Sequence, residues 1–362
     1  MAADLSLDPG SLGALVGVGG AVAVLAQVPA GSGGDAWGRR PFFGLAMLLL
    51  LAAQLLRWGA PDATVLLVSQ ILAGAALGIA GVSGWALIAD LPARSRQGQA
   101  FGILNASLSL GNVVGFLLAG ALGETLGWRT ESLALAALPL VGLPAVAWVP
   151  PRARGQGGAA RRRGASAAMI LRSLAHRRRL ALAGVAALTL SAGQGGTYLL
   201  PFSANERALG PFAASLLLVP YIAGSVVAAP VAGRLGDRFG PRPVILAALV
   251  LGAAACVALV WGAAWSPVLV ACFVAIGAGV NGALPLVALR VVGIADASAG
   301  MGTIIAGLRM GQSLGTFLGP LVAGAALARA GLGGGWLALA GCLLAAFAVV
   351  WTDPAHERRP RS

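Results

Sequence analysis

Apolar runs of roughly 20 residues, each long enough to cross the hydrocarbon of a bilayer, recur along this chain and are separated by short segments holding nearly all of its charge. A water-soluble domain has no core large enough to bury so many. Hydrophobic residues make up 58% of the 362, mean hydropathy is +0.86 and glycine reaches 54. The pattern specifies an all-α integral membrane protein, because hydrocarbon offers the backbone no hydrogen-bond partners and the alternating ten-residue strands of a barrel are absent. Eleven spanning helices are expected at about 11–30, 41–58, 64–89, 99–122, 131–149, 180–202, 211–232, 243–262, 267–294, 300–328 and 335–351.

Orientation follows from arginine, which supplies all 25 basic residues. With the segment between the first two helices in the cytoplasm, the cytoplasmic segments hold 19 arginines and the outer ones four, Arg57, Arg129, Arg207 and Arg329. Arg290 and Arg309 fall inside expected helices. The net charge of +13 is therefore an orientation signal, and the arginines lack the aromatic interleaving of a nucleic-acid binder. The expected setting is multi-pass in a cell membrane (inner or plasma), with the lipid bilayer and a small-molecule substrate as partners, no nucleic acid, and a monomeric state.

The polar stretch from Pro150 to Arg179 divides the chain into an N-terminal bundle of five helices (1–149), a basic cytoplasmic linker (150–179), a C-terminal bundle of six (180–351) and a cytoplasmic tail (352–362). The end of that linker also suits an amphipathic helix on anionic headgroups. Cys256, Cys272 and Cys342 all lie inside expected helices and support neither a disulfide framework nor a metal site.

An internal repeat organises the two bundles. "GSGGDAWGRRP" at 31–41 has the frame of "GRLGDRFGPRP" at 233–243, with Asp35 and Asp237 offset by 202. "IAD" ending at Asp90 matches "IAD" ending at Asp296, offset 206, and "GNVVGFLLAG" from Gly111 matches "GTFLGPLVAG" from Gly315, offset 204. Three landmarks in one order at nearly constant spacing indicate a structural duplication.

On these residues the chain resembles the major facilitator superfamily of secondary transporters, whose signature after the second helix of each half is G-x-L-(A/G)-D-R-x-G-R-R. The C-terminal copy keeps Gly233, Leu235, Gly236, Asp237, Arg238, Gly240 and Arg242, with Pro241 in place of an arginine. The N-terminal copy keeps Gly31, Gly34, Asp35, Gly38, Arg39 and Arg40, with Gly33 for leucine and Ala36 for arginine. "GWR" at 127–129 adds to the likeness, which covers about 11–351. The resemblance implies a two-bundle fold of five plus six helices related by a pseudo-twofold axis. It also implies a cytoplasmic latch in which Asp35 and Arg39 join Asp90 at the end of the third helix, with Asp35 near the start of the tenth. Gly31, Gly38, Gly233, Asp237, Arg238 and Asp296 complete the two copies of this latch; for Arg40, Arg234 and Arg242 a positive-inside anchor serves equally. The sixth helix has no counterpart at the same offset, so the chain is expected to lack the family's first helix, through a misplaced start, a truncation or a true eleven-helix design.

Substrate contacts are expected from polar or aromatic side chains near helix midpoints: Gln70, Asn105, Asn112, Gln194, Tyr198, Tyr221, Asn281, Arg309 and Gln312. Arg309 is the sharpest, since a cation at the bilayer centre costs roughly 2.5–3.5 kcal/mol on insertion scales; snorkelling to the cytoplasmic face is its alternative, more so for Arg290. No cofactor is expected. Proton coupling needs a membrane-embedded carboxylate, and none stands at mid-helix. An antiporter-type signature survives only in part at Gly111, Gly115 and Gly120. An enzyme is not expected: "GVSG" at 81–84 has the form of an intramembrane serine protease, but both histidines, His176 and His356, lie in cytoplasmic segments. A phosphate-binding loop lacks its lysine. The expected function is export of a drug or metabolite by an efflux or antiport carrier, with a truncated or inactive relative as the alternative.

Overall fold

In the computed structural model, which describes residues 8–89, 94–149, 177–206, 210–261, 267–293 and 301–353, the first helix begins where a carboxylate can receive it. Asp8 accepts the amides of Gly10 at 2.8 Å and Ser11 at 3.1 Å, and Pro9 fills the first helical position, where no amide hydrogen is needed. The Ser11 hydroxyl and amide hold the Asp8 carboxyl below its usual range. Helix α1 runs Pro9–Trp37, α2 Arg40–Trp58 and α3 Ala63–Ala89, the last capped by Asp62 on the amides of Thr64 and Val65. Then come α4 (Arg94–Leu135), α5 (Ala137–Ala145), α6 (Arg177–Asn205), α7 (Pro211–Leu216), α8 (Leu218–Phe239), α9 (Pro241–Ala258), α10 (Pro267–Gly293) and α11 (Met301–Thr352).

Eight segments among the described residues are long and apolar enough to cross a membrane. Two of them, Leu110–Trp148 and Leu308–Thr352, have 39 and 45 residues and are broken by Gly127 and by Ala330–Gly331. Each is therefore two passages. With those doubled and α6 added, whose Thr189, Ser191, Gln194 and Thr197 lower its hydropathy, the passages number the eleven expected.

The glycine-rich signature differs from its expected form. Rather than lying in a loop, it forms the last turns of α1 and α8, which continue to Trp37 and Phe239. The chain turns only at Gly38 (φ 89°) and Gly240 (φ 87°), a left-handed region that side chains avoid, and a proline follows at the start of the next helix. The other described glycines with positive φ are Gly127 (77°) and Gly331 (66°). These four form two pairs, offset by 202 and 204, so the repeat legible in sequence is also a repeat of backbone geometry.

The chain divides into two compact units, residues 1–167 with 210–215, and residues 168–209 with 216–362. Inside the first, α3 packs on α1 and α2, around a small core of Ala30, Ala46 and Ile79. Inside the second, α10 packs on α8 and α9 in the same way, and Phe273 meets Trp336 edge to face at 5.8 Å. The most extensive contact of the second unit joins α6 to α11. A Cβ on Gly311 or Gly315 would run into the carbonyl of Ala183 or Ala187, and one on Gly319 would lie 2.6 Å from the Ser191 carbonyl. Small residues at every fourth position on both helices bring the backbones together.

Gly111 and Gly115, the matching positions of α4, have nothing within 4 Å of such a Cβ. Among the described residues of the first unit, no helix stands to α4 as α6 stands to α11. Gly315→Leu is thus expected to lower stability by about 1–3 kcal/mol through overpacking, whereas Gly115→Leu should be close to neutral. Thermal unfolding of the two purified variants checks this, and equal losses would contradict it.

Candidate functional site

The second unit gathers a cluster of charges at the C-terminal end of α11. Asp353, just past the last helical turn, receives Arg178 Nε from α6 on Oδ1 at 2.9 Å and Arg290 Nη2 from α10 on Oδ2 at 2.6 Å. The Asp353 and Arg290 side chains are only 9% and 10% exposed, against 30% for Arg178. Arg242, at the start of α9, donates Nη2 to the Trp351 carbonyl and lies 5.9 Å from the Trp351 ring. Three further helices are thereby tied to the last residues of α11, where cations also suit the negative helix terminus. Arg290 is no lone snorkelling cation; its charge is met by Asp353.

At mid-helix level the same unit carries a hydrogen-bonded polar cluster. The Asn281 amide group of α10 donates to Ser225 Oγ of α8 at 2.8 Å and to the Gly277 carbonyl at 3.3 Å. Ser225 Oγ in turn lies 2.9 Å from the Tyr221 carbonyl and 3.3 Å from the Gly277 carbonyl. A Cβ on Gly193 of α6 would come within 2.8 Å of the Tyr221 hydroxyl. Tyr221, Ser225 and Asn281 are all partly exposed.

Of the expected substrate residues, then, the fold links Tyr221 and Asn281 through Ser225, whose position one helical turn after Tyr221 was the available signal. The others are dispersed. Gln194 lies against α11, its Cβ 3.1 Å from a Cβ built on Gly319, and Tyr198 packs on Phe202 at 5.4 Å. The Gln312 carbonyl accepts from Thr316, and Arg309 is exposed. In the first unit, Gln70 Oε1 lies 3.5 Å from a Cβ built on Gly19, and Asn112 is exposed beside Gly111.

The latch residues are placed in part. Arg39 is half-buried, folded back over Gly34 where a Cβ would overlap its guanidinium. The Phe42 ring occupies the space a side chain on Gly33 would need, which accounts for glycine there. Asp237 and Arg238 are exposed, with Arg238 lying 5.2 Å from the Phe239 ring centroid. Gly31 is helical and Gly233 has no neighbour within 4 Å of a built Cβ. Asp90, Asp296 and the side chains of Asp35 and Asn105 fall outside the described residues. "GWR" has a local role: after the turn at Gly127, Arg129 donates to the Ala60 carbonyl at 3.1 Å, beyond the end of α2. Ser83 is fully buried, and its hydroxyl meets no hydrogen-bond partner among the described residues.

The Asp353 cluster predicts an asymmetry. Asp353→Ala strands the buried Arg290 charge and should cost about 3 kcal/mol, while Arg178→Ala, at the more exposed partner, should cost well under half of that. Denaturation midpoints of the purified variants measure both; an unaltered midpoint for Asp353→Ala would show that the cluster contributes no stability.

Comparison with known proteins agrees with this architecture. The family profile described as Major Facilitator Superfamily matches residues 1–216 and 185–362. The inner membrane transport protein YdhP of Escherichia coli (strain K12) is 26% identical over 315 residues, covering 84% of this chain and 76% of its own. Two solved structures share the fold: the nucleoside transporter NupG (TM-score 0.78, 15% identity, 98% of this chain and 93% of that one) and the human organic anion transporter MFSD10 (TM-score 0.64, 22% identity, 93% and 83%).

Proposed function

The chain belongs to the Major Facilitator Superfamily, and on that footing we propose that it is a secondary active transporter that moves a small solute, a drug or metabolite, by alternating access, with export as its direction. The observation that carries this reading is the duplicated unit, with helix-bounding glycines at Gly38 and Gly240 and again at Gly127 and Gly331. Duplication supplies two bodies of like construction, and the Asp353 cluster lets the helices of the second move as one piece. An inner or plasma membrane location and a monomeric state complete the proposal, with the coupling ion to be read from the gradient experiment below. The signature residues Asp35, Arg39 and Asp90, with their repeats Asp237, Arg238 and Asp296, serve in it as the latch that biases one conformation over the other.

One observation favours a second reading, a relative without transport of its own. Among the described residues nothing covers the stripe at Gly111 and Gly115, where its repeat in α11 is closely packed. Reconstitution of the full chain in liposomes with an imposed proton gradient separates the two. Gradient-driven flux of a solute supports the carrier, and Asp35→Asn should then reduce the rate at least several-fold with membrane insertion unchanged. Absence of flux across a broad panel of charged and uncharged solutes supports the inactive relative.

A further inference from the structure

The two copies of one long helix begin differently. Pro9–Trp37 and Pro211–Phe239 are each 29 residues long and stand at an offset of 202, the first as unbroken α1, the second as α7 and α8 with an interruption at Leu217. Helix α1 caps itself, with Asp8 accepting the amides of Gly10 and Ser11. At the position of Asp8 the second copy has Gly210, which offers no acceptor. The amide of Phe212, counterpart of Gly10, is received instead by Glu124 Oε2 of α4 at 2.8 Å. Gly210 also makes room for that acceptor, since a Cβ there would lie 2.7 Å from Glu124 Oε2. Where Glu124 stands in α4, its repeat in α11 has Ala328. Across the duplication the carboxylate has moved from the helix it caps to a different helix.

Packing ties α7 to the same helix. A Cβ on Gly120, one turn before Glu124, would overlap the Ser215 hydroxyl and come within 2.9 Å of the Pro211 carbonyl, and both Ala214 and Ser215 are buried. Residues 210–215 accordingly belong to the first unit, whereas Leu216 and all of α8 belong to the second. One apolar passage is thus shared between the units, and Leu217 interrupts its helix where the held part ends.

From this arrangement we propose that Glu124 is a positioning residue of the transport cycle, a detachable cap that holds α7 on α4 in one conformation and releases it in the other; this deepens the alternating-access reading and rests on it. A cap that only stabilised the helix start is better supplied by the helix itself, as Asp8 does at the matching position of α1. A cap supplied by another helix makes the satisfaction of the Phe212 amide depend on where α7 lies. The contact is also reversible. Glu124 is exposed, so on release water receives both the carboxylate and the amide, and neither is left buried without a partner. The interruption at Leu217 gives the passage a joint between the part that is held and the part that moves with the second unit.

The test uses the full chain in lipid nanodiscs, with Cys342→Ala removing the most accessible native thiol and nitroxides placed at Trp58 of α2 and at Leu216, the last residue of α7, both exposed. Double electron–electron resonance is expected to show two distance components, α7 held and α7 released. Glu124→Ala should raise the ratio of released to held about fivefold, the usual effect of losing a helix cap. Gly210→Asp keeps Glu124 and gives α7 the cap that α1 has, but sets a second carboxylate against the first; it should raise the released fraction as well, whereas a purely structural cap predicts unchanged distances for it. Should Glu124→Ala fail to fold, Gly210→Asp still decides. A single distance component, or a distribution unaltered in either folded variant, overturns the proposal. Flux in liposomes is read separately: release of α7 in both variants of a chain that moves no solute under a gradient overturns the transport reading and leaves the detachable cap standing.

Discussion

Two helices in a bilayer gain nothing from hiding apolar surface from one another, because lipid is as apolar as leucine; what holds them is close van der Waals contact. Nearly every long-range feature of this protein depends on meeting that requirement with residues that lack bulk. Gly74 and Gly78 let α3 reach the backbone of α1, Gly277 and Gly224 do the same for α10 and α8, and Gly311, Gly315 and Gly319 carry α11 onto α6. A single methyl group at most of these positions would overlap a carbonyl. The high glycine content is thus a packing device, concentrated in stripes with a spacing of about one helical turn.

A smaller set of glycines does different work. At Gly38, Gly127, Gly240 and Gly331 the backbone enters the left-handed region, and each marks where one passage ends and the next begins. Two units that fold by the same rules therefore turn at the same places. Their local chemistry still diverges: Gly33 and Phe42 in the first unit stand where Leu235 and Val244 stand in the second, so bulk lost on one helix is regained on its neighbour.

Much of this was legible in the sequence, because hydropathy reports lipid exposure directly and a duplication leaves offsets that need no structure to count. The helix count, the repeat and the family follow from apolar runs and from Asp35, Asp237, Gly111 and Gly315. The extent of α1 and α8 did not follow. Glycines and charges read as a loop, yet an amphipathic helix end at the membrane surface tolerates both, and the left-handed conformation of Gly38 and Gly240 is invisible to composition. Nor could spacing join Asp353 to Arg178 and Arg290, 175 and 63 residues away, since Asp353 sits just beyond the last apolar run, where a sequence reading sees only a tail. For the site, amides and tyrosines at helix midpoints were found but could not be sorted. Gln194 packs against α11 and Tyr198 on Phe202, while Tyr221 and Asn281 are joined through Ser225 because Gly277 lets their helices come together.

That last dependence links packing to chemistry. A polar side chain reaches across a helix pair only when the backbones are close, so the small residues that hold α8 and α10 in contact also fix the distance over which Asn281 spans to Ser225. The first unit shows that the same approach is stable with nothing to bridge. Once Gly74 and Gly277 have set the helix separation, the position one turn further along, Gly78 in one copy and Asn281 in the other, is free to vary without loss of the fold. A duplicated scaffold of this kind can therefore place a polar cluster in one unit and leave the other apolar, with the backbone contact that both share supplying the geometry.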